Sequence, residues 1–447
     1  MAKKQVSIFC ASQRSFDHLQ LVNFSNISDF RFNFYHIDGE QKKPFTNKNF
    51  VKKNSQWEKI HTNWTLQLKH ACQFILYLRV YVSLSPKNRH LRTVSRIVLF
   101  GNSNNTKEML KIFLTSLFFS LKIILLNPIF YKFVLNLLFL SRDTIRIPNL
   151  DSKIFTSLLK KNRPDLIVAQ TTMNDLSIFN LLTIAEKLNI KTLLIIDSWD
   201  NLGTKAIVPR PFTHVFVWSE QCLNHAFDYH RIPFEKISIS GTPRSIQKIS
   251  RKKIRTLNKS VINIAYLESS SEDLEHNLNI LEQCFLKVKE EKQSKLKSIN
   301  LKIKVYPFHK DERNYSWVLN RYSSVINYSV SKEQRDLESF LMGTDLVISE
   351  STTAGIQSAS WNYFTLFISS NSSKIYLNGE RAFKLPHLEI VKILGFPIIH
   401  SINLYANVST IIDFIRNPFI PDVKCSLGPV DNVFEAELVK KVNELTK

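Results

Sequence analysis

An aspartate and a histidine stand side by side shortly after the first apolar run of the chain. The run Val6 to Cys10 is typical of a short buried strand, and Arg14, Asp17 and His18 follow it. A carboxylate beside an imidazole can orient and deprotonate a hydroxyl, because the pKa of histidine lies near neutrality. We therefore predict Asp17 or His18 as a general base and Arg14 as a substrate contact. A helix start with His18 on the surface accounts for the same residues.

A second polar cluster, DSWDNLGTK at 197–205, follows the strongest apolar run of the chain. Aspartates, an asparagine and a glycine suit a loop that turns sharply and presents polar groups to a ligand. Trp199, Asp200 and Asn201 are the binding candidates here, against the alternative of a plain turn. In SGTPR at 240–244, Gly241 allows close backbone approach and Arg244 can meet a phosphate or carboxylate, although a hinge turn uses the same residues.

Hydroxyl-rich stretches follow two further apolar runs, ESSSED at 268–273 and SESTTAGIQSA at 349–359. Hydroxyls and backbone N–H groups at a helix start form an anion site that suits a diphosphate. Three consecutive hydroxyls exceed the one that a helix cap needs. A histidine also ends the strand-like stretch VYPFHK. The predicted phosphate-site residues are Ser269, Ser270, His309, Glu350, Ser351, Thr352, Thr353 and Gln357.

The elements that must position these loops alternate between strand and helix in both halves of the chain. Strands at 166–169 and 192–196 flank an amphipathic helix, and this βαβ pattern implies parallel strands. A further strand is expected at 97–100. The alternation resumes at Val261 after a basic, polar stretch, which predicts a linker at 246–260. Ligands of open parallel sheets bind beyond the carboxyl ends of the strands, where the candidate loops lie.

We therefore predict an α/β fold with two doubly wound domains in tandem. The first spans residues 1–245 and the second 261–447, and a last helix that crosses back to the first domain stays open as an alternative.

An apolar segment at 109–141 departs from this alternating pattern. Its apolar residues are interrupted mainly by Lys122, Asn127, Pro128 and Lys132, so no stretch approaches the ~20 residues of a spanning helix. Two short helices that meet near Asn127 and lie in a membrane interface, with lysines reaching toward headgroups, are one interpretation. A pair of buried domain helices is the other.

Composition narrows the class of protein. With 447 residues, 44% of them hydrophobic, and 9 glycines, the chain is neither disordered nor collagen-like. The 5 cysteines form no C-x-x-C pair, so we expect no zinc site, no disulfide framework and a reducing compartment. The apolar stretch within the first ten residues is too short for a secretory signal. A net charge of +22 attracts anionic lipid or nucleotide phosphates. Nucleic-acid motifs are missing from the sequence, so we expect no nucleic-acid partner.

One long stretch resembles a known group of enzymes. The segment SWDNLGTKAIVPRPFTHVFVWSEQCLNHAFDYHRI, followed by SISGTPR, is similar to GT-B-fold glycosyltransferases of bacterial capsule and lipopolysaccharide biosynthesis. These carry a Trp-Asp-Asn loop, a strand ending in Val-Trp and a Gly-x-Pro turn before the second domain. The resemblance is good over about residues 160–245, fair over 261–400 and poor before 150.

The resemblance implies an α/β fold of two Rossmann-like doubly wound domains facing across a cleft. The second domain would hold a nucleotide-sugar donor, with Ser269, Ser270 and 350–353 near the diphosphate. The first domain would bind the acceptor, with Asp17 or His18 as base. It implies no metal and no cofactor, since the nucleotide sugar is a substrate. A lipid-linked or polysaccharide acceptor would place the enzyme peripherally on an anionic membrane surface, on its cytoplasmic side. A polyol-phosphate transferase, a sugar-nucleotide 2-epimerase and a non-catalytic nucleotide-sugar-binding partner in polysaccharide assembly are the alternatives.

Overall fold

The protein is described here by a computed structural model that divides into two compact units. The first comprises Met1–Ile246 and Leu427–Lys447, and the second comprises Gln247–Ser426. The described residues are 3–11, 15, 19, 22, 30–38, 56–63, 65–82, 99, 106–126, 147, 149–171, 173, 175–204, 208–242, 260–268, 274–290, 295–306, 314–321, 323–332, 337–350, 353–361, 363–369, 398–400, 408–416 and 433–446.

The first unit is built on a seven-stranded parallel sheet in the order β3-β2-β1-β4-β5-β6-β7. Its strands are β1 Lys4–Cys10, β2 Phe30–Asp38, β3 Gln56–His61, β4 Leu166–Thr171, β5 Lys191–Ile196, β6 His214–Val217 and β7 Ile237–Ile239. Central parallel strands are covered on both faces and need continuous apolar runs. All of β4 is accordingly buried, as is all of β5 except Lys191.

Helices of the first unit connect these strands. They are α1 Leu66–Val82, α2 Thr106–Leu126, α3 Ser152–Asn162, α4 Leu176–Lys187, α5 Asn201–Thr204 and α6 Glu220–Asp228. The start of α6 is capped by Ser219, whose hydroxyl accepts a hydrogen bond from the Cys222 N–H and satisfies one of the free amides of the first turn.

The second unit repeats the plan with a six-stranded parallel sheet in the order β10-β9-β8-β11-β12-β13. Its strands are β8 Val261–Leu267, β9 Ser298–Lys304, β10 Ile326–Ser331, β11 Leu346–Ser349, β12 Phe364–Ser369 and β13 Ile398–His400. Its helices are α7 Leu274–Glu290, α8 Ser316–Leu319, α9 Leu337–Leu341, α10 Thr353–Ser360 and α11 Val408–Arg416.

A helix from the far end of the sequence completes the core of the first unit. This helix, α12, spans Val433–Leu445. Its Phe434, Leu438 and Val442 are buried in one cluster with side chains of β1, β2, β4, β5 and β6. The Phe434 ring meets the Phe216 ring edge to face, with ring centroids 6.2 Å apart. The first unit therefore takes part of its hydrophobic core from a segment that follows the second unit.

The sequence located central strands of both sheets. The strands expected at 6–10, 166–169, 192–196 and 261–267 are β1, β4, β5 and β8. The strand expected at 97–100 is wrong at its one described residue, because Leu99 is helical and buried. The first part of the apolar segment is a single helix, α2, and the second helix expected after Asn127 lies outside the described residues.

Candidate functional site

Both sheets reverse their strand order between the first and fourth strands of the unit. In the first unit β1 lies between β2 and β4, and in the second β8 lies between β9 and β11. Ligands of doubly wound sheets bind outside the carboxyl ends of the strands at such a reversal. The residues just after β8 and β11, and just after β1 and β4, are therefore the candidate functional residues, and the loop after β5 begins beside the end of β4.

In the second unit, a buried glutamate directly follows β11. The Glu350 carboxylate is 1% exposed, and its Oε1 accepts hydrogen bonds from the Tyr266 hydroxyl at 2.5 Å and the Asn277 amide at 3.3 Å. Tyr266 belongs to β8 and Asn277 to α7. Burial, and then the charge of Glu350, raises the pKa of Tyr266 well above its usual value, so the phenol stays a donor. This carboxylate thus connects two strands and a helix at the reversal.

A second buried glutamate, Glu268, directly follows β8. Its Oε2 accepts hydrogen bonds from the Tyr306 N–H at 2.9 Å and the Tyr315 hydroxyl at 2.7 Å. Because Ser349 pairs with Leu267 in parallel register, Glu268 and Glu350 follow neighbouring strands at equivalent positions. Two carboxylates therefore fix the loop starts after β8, β9 and β11.

A buried amide beside this pair has unused hydrogen-bonding capacity. Asn277 is fully buried, and its Nδ2 also donates to the Tyr266 hydroxyl at 2.9 Å. Its Oδ1 has no hydrogen-bond partner within the described part of the chain. An unpaired buried acceptor costs roughly 1–3 kcal/mol. A water or ligand donor at this place would remove that cost.

Helix α10 starts unusually close to the end of β11. A Cβ placed on Gly355 would lie 2.2 Å from the Ser349 Oγ, 2.6 Å from the Ser349 Cβ and 2.8 Å from the Phe367 Cε1. Only glycine permits this approach, so the residue type holds the first turn of α10 against the carboxyl end of β11. The positive end of the helix dipole then lies at the reversal, where it favours an anion.

In the first unit, the corresponding edge carries a buried amide and a buried carboxylate. The Gln170 Nε2 in β4 donates to the Asp197 Oδ1 after β5 at 2.6 Å, and both side chains are 1% exposed. The loop after β5 is closed by the Ser198 hydroxyl, which donates to the Asp200 Oδ1 at 2.5 Å. Since Gln170 pairs with Cys10 in register, the loop after β1 begins beside this pair.

The tryptophan of this loop is part of the core. Trp199 is 3% exposed, and its carbonyl accepts a hydrogen bond from the Cys222 thiol at 3.3 Å. Asn201, at the start of α5, is also buried, and its Nδ2 has no hydrogen-bond partner among the residues that the structure describes. The loop therefore offers Asn201 and half-buried Asp200 for polar contacts, while Trp199 anchors it.

Comparisons with known proteins bear on the fold alone. No family model matches the chain, and no curated protein matches it in sequence. Among solved structures, the UDP-GlcNAc 2-epimerase from Methanocaldococcus jannaschii is similar to this chain, with 12% identity and a TM-score of 0.50. The match covers 98% of this chain and 99% of that chain. The chain has the GT-B fold. The fold class expected from the sequence, with two Rossmann-like sheets, is confirmed.

Two further solved structures are similar to the GT-B chain at lower TM-scores. Acinetobacter baumannii MurG has 10% identity and a TM-score of 0.49, with 99% of each chain covered. The lipopolysaccharide outer core galactosyltransferase WaaB has 10% identity and a TM-score of 0.47, with 99% of this chain and 98% of that chain covered.

The structure describes about half of the predicted site residues of this GT-B chain. Glu350 is at the β8–β11 reversal and Gln357 is half-buried in α10. Gly241 is buried after β7 with φ +70, a left-handed conformation that favours glycine. Thr353 is the first residue of α10. The predicted residues outside the described part are Arg14, Asp17, His18, Arg244, Ser269, Ser270, His309, Ser351 and Thr352.

Sequence reasoning missed the partners that hold the carboxylates. Gln170 and Asp197 are 27 residues apart, and Tyr266 and Glu350 are 84 residues apart. A signal was nevertheless present, because Asp197, Glu268 and Glu350 each stand directly after an apolar strand. A carboxylate directly after a buried parallel strand is itself buried unless the loop turns toward solvent. A buried carboxylate needs hydrogen-bond donors nearby.

Proposed function

We propose that the protein is a glycosyltransferase that moves a sugar from a nucleotide-diphosphate sugar to a lipid-linked or surface-polysaccharide acceptor without a metal ion. The second unit binds the donor and the first binds the acceptor. The observation that carries the donor assignment is the approach of α10 to the end of β11 at Gly355, which puts a helix N-terminus at the strand reversal.

The donor diphosphate suits this place because the positive end of the α10 dipole favours an anion. The hydroxyls of Ser351, Thr352 and Thr353, together with Ser269 and Ser270, follow β11 and β8 in sequence and are the proposed phosphate contacts. Preorganised donors of this kind stabilise the negative charge that develops on the leaving diphosphate.

In the proposed reaction, Asp17 or His18 accepts the proton of the acceptor hydroxyl. The acceptor oxygen bonds to the anomeric carbon of the sugar, and the bond from that carbon to the diphosphate breaks, which releases the nucleoside diphosphate. Both candidate bases follow β1, and β1 ends beside the Gln170–Asp197 pair. Asp17→Asn or His18→Ala should lower turnover about 100-fold for whichever residue is the base. A normal rate in both variants contradicts the assignment.

We further propose that the enzyme works peripherally at the cytoplasmic face of a membrane, where a lipid-linked acceptor would be located. Support comes from the net charge of +22 and from large apolar side chains exposed on α2. No helix in the described ranges is both long and apolar enough to cross a bilayer.

Transfer can be tested with purified protein, radiolabelled nucleotide sugars and a lipid extract. Label that appears in the lipid fraction in the presence of a chelator supports the proposal. Free nucleoside diphosphates should also raise the melting temperature at about 1 mM, where even weak sites give a shift. No shift with any nucleotide contradicts a donor site and favours the non-catalytic alternative.

A sugar-nucleotide 2-epimerase is the second candidate, and the full-length structural similarity to the UDP-GlcNAc 2-epimerase favours it. An epimerase needs no acceptor. Conversion of the free nucleotide sugar to its 2-epimer in the absence of lipid would favour this candidate over the transferase.

A further inference from the structure

Helix α2 is packed on one side and exposed on the other. Its inner side contacts the cluster centred on α1, with Phe113 and Leu117 packed against the buried residues of that cluster. The Phe113 ring lies 5.9 Å from the Phe74 ring between centroids, and Ser120 is 2% exposed. The helix therefore has a fixed orientation on the first unit.

The other side of α2 exposes large apolar side chains in one stripe. Leu110, Leu114, Phe118 and Leu121 follow the i, i+4, i+8, i+11 spacing that aligns side chains along a helix. Phe118 is 77% exposed and Leu110 is 53% exposed. Single exposed apolar residues are ordinary, whereas a contiguous apolar stripe marks an interaction surface.

Lysines accompany this apolar stripe. Lys111 and Lys122 are exposed on α2 near its two ends, one turn from Leu114 and beside Leu121, respectively. Apolar side chains together with lysines on the outer side of one helix match the chemistry of an anionic lipid surface. The acyl boundary of such a surface takes up apolar side chains, and its headgroups attract lysines.

We propose that the stripe Leu110, Leu114, Phe118 and Leu121 inserts into the interfacial region of an anionic phospholipid bilayer, with α2 lying parallel to the surface and Lys111 and Lys122 at the headgroups. This inference specifies how the protein binds the membrane named in the proposed function. Its biological purpose rests on that proposed function. A symmetric pairing of α2 with a second copy is disfavoured by charge, because the chain carries +22 and each copy would bring the same lysines to the interface.

The test is co-sedimentation of the full chain with vesicles of phosphatidylcholine alone or with added phosphatidylglycerol. We expect binding to the anionic vesicles and little binding to the neutral ones. Leu114→Ser with Phe118→Ser should weaken the partition at least about tenfold, since it removes two inserted side chains. Lys111→Gln with Lys122→Gln should weaken it about 25-fold, at about fivefold per charge.

The matched control is Leu319→Ser with Met342→Ser. These residues of the second unit are 58% and 77% exposed, so the control removes equally exposed apolar groups outside the stripe. It should bind vesicles like the unchanged protein. Melting temperature and the shift produced by a nucleoside diphosphate should stay unchanged in all three variants, which separates loss of docking from unfolding and from failure of the donor site.

Equal sedimentation of the stripe variant and the unchanged protein overturns the proposal, as does absence of binding to any vesicle. Equal binding to neutral and anionic vesicles overturns the role of the lysines. A dimer in analytical ultracentrifugation that the stripe substitutions convert to a monomer, with vesicle binding unaffected, assigns the surface to a second copy instead. If vesicles bind normally but no nucleotide does, the docking inference stands and the proposed transferase fails.

Discussion

The two units share one strand order but stabilise the polar residues at the carboxyl ends of their strands with different donors. In the second unit, tyrosine hydroxyls hold Glu350 and Glu268. In the first unit, the amide of Gln170 holds Asp197. Topology thus determines where the buried carboxylates lie, while each unit supplies its own donors. The units also differ in chain continuity, because the first includes α12 and the second is built from one uninterrupted stretch.

The largest difference between the units should come from the α12 anchor. Phe434→Ala removes a buried ring that packs on Phe216, and a cavity of this kind costs about 4 kcal/mol of unfolding free energy. Hydrogen exchange followed by mass spectrometry should show faster exchange in β4, β5 and β6 and unchanged exchange in β8 and β11. Val439→Ala, at a partly buried position of the same helix, is the control and should cost far less. An equal increase of the exchange rates in both units would contradict an effect confined to the first unit.

The next largest effect should come from Glu350. Glu350→Ala leaves the buried Tyr266 hydroxyl without its acceptor and removes one of the two acceptors of the Asn277 amide, and we expect a loss of about 3 kcal/mol in the second unit. Glu350→Gln keeps an acceptor oxygen and the volume, so it should cost about 1 kcal/mol. Exchange rates of β8 and β11 amides provide the measurement. Similar values for the two variants would mean that the hydrogen bonds contribute little.

A smaller but more localised effect is expected at Gly355. Gly355→Ala introduces a Cβ that overlaps Ser349, and overpacking of this kind costs about 2 kcal/mol. Because α10 must move away from β11, nucleoside-diphosphate affinity measured by calorimetry should fall about tenfold or more. The double change Ser349→Gly with Gly355→Ala removes both Ser349 atoms from the clash and should restore part of the affinity. Unchanged nucleoside-diphosphate affinity in the Gly355→Ala variant would mean that α10 is not part of the donor site.

The smallest effect concerns the pH dependence of the first unit. Burial, and then the charge of Lys441 in α12, lowers the pKa of His214 to about 4. The neutral ring, whose Nε2 lies 2.8 Å from the Ser238 Oγ, is therefore favoured in the folded state. The contribution of the neutral ring to the free energy of unfolding is complete above about pH 6.5, the pKa of histidine in the unfolded chain, and is lost as the pH falls toward 4.

The melting temperature of His214→Gln should accordingly fall less steeply between pH 6.5 and 4 than that of the unchanged protein. Parallel pH profiles for the His214 variant and the unchanged protein would contradict the assignment.

The sequence predicted the parallel strands well because buried parallel strands are continuous apolar runs. Runs such as Leu166–Thr171 and Val261–Leu267 leave little ambiguity. β3, with the sequence QWEKIH, lacks such a run and is an edge strand, so it was missed. The apolar stretch around Leu99 was assigned to a strand, because a short buried helix and a buried strand have the same composition.

The candidate site was predictable in position but not in its hydrogen bonding. The rule that ligands bind beyond strand ends selected the loops after β5, β8 and β11, and Glu350 was among the residues named. The pairing of Glu350 with Tyr266 depends on the register between β8 and β11, which a single sequence does not encode locally. Trp199, which was predicted to contact a ligand, is buried, and its carbonyl accepts a hydrogen bond from Cys222 of α6, 23 residues away in the sequence.

The position of α12 has a consequence for how the chain is made. Residues 4–10 leave the ribosome early, yet the core that surrounds them stays incomplete until Val442 has been synthesised. The second unit, translated in between, has the six strands that the structure describes by residue 400. Nascent chains that stop before position 433 therefore carry an unfinished first unit with exposed apolar strands, and quality-control proteases can recognise them before any half-made protein accumulates.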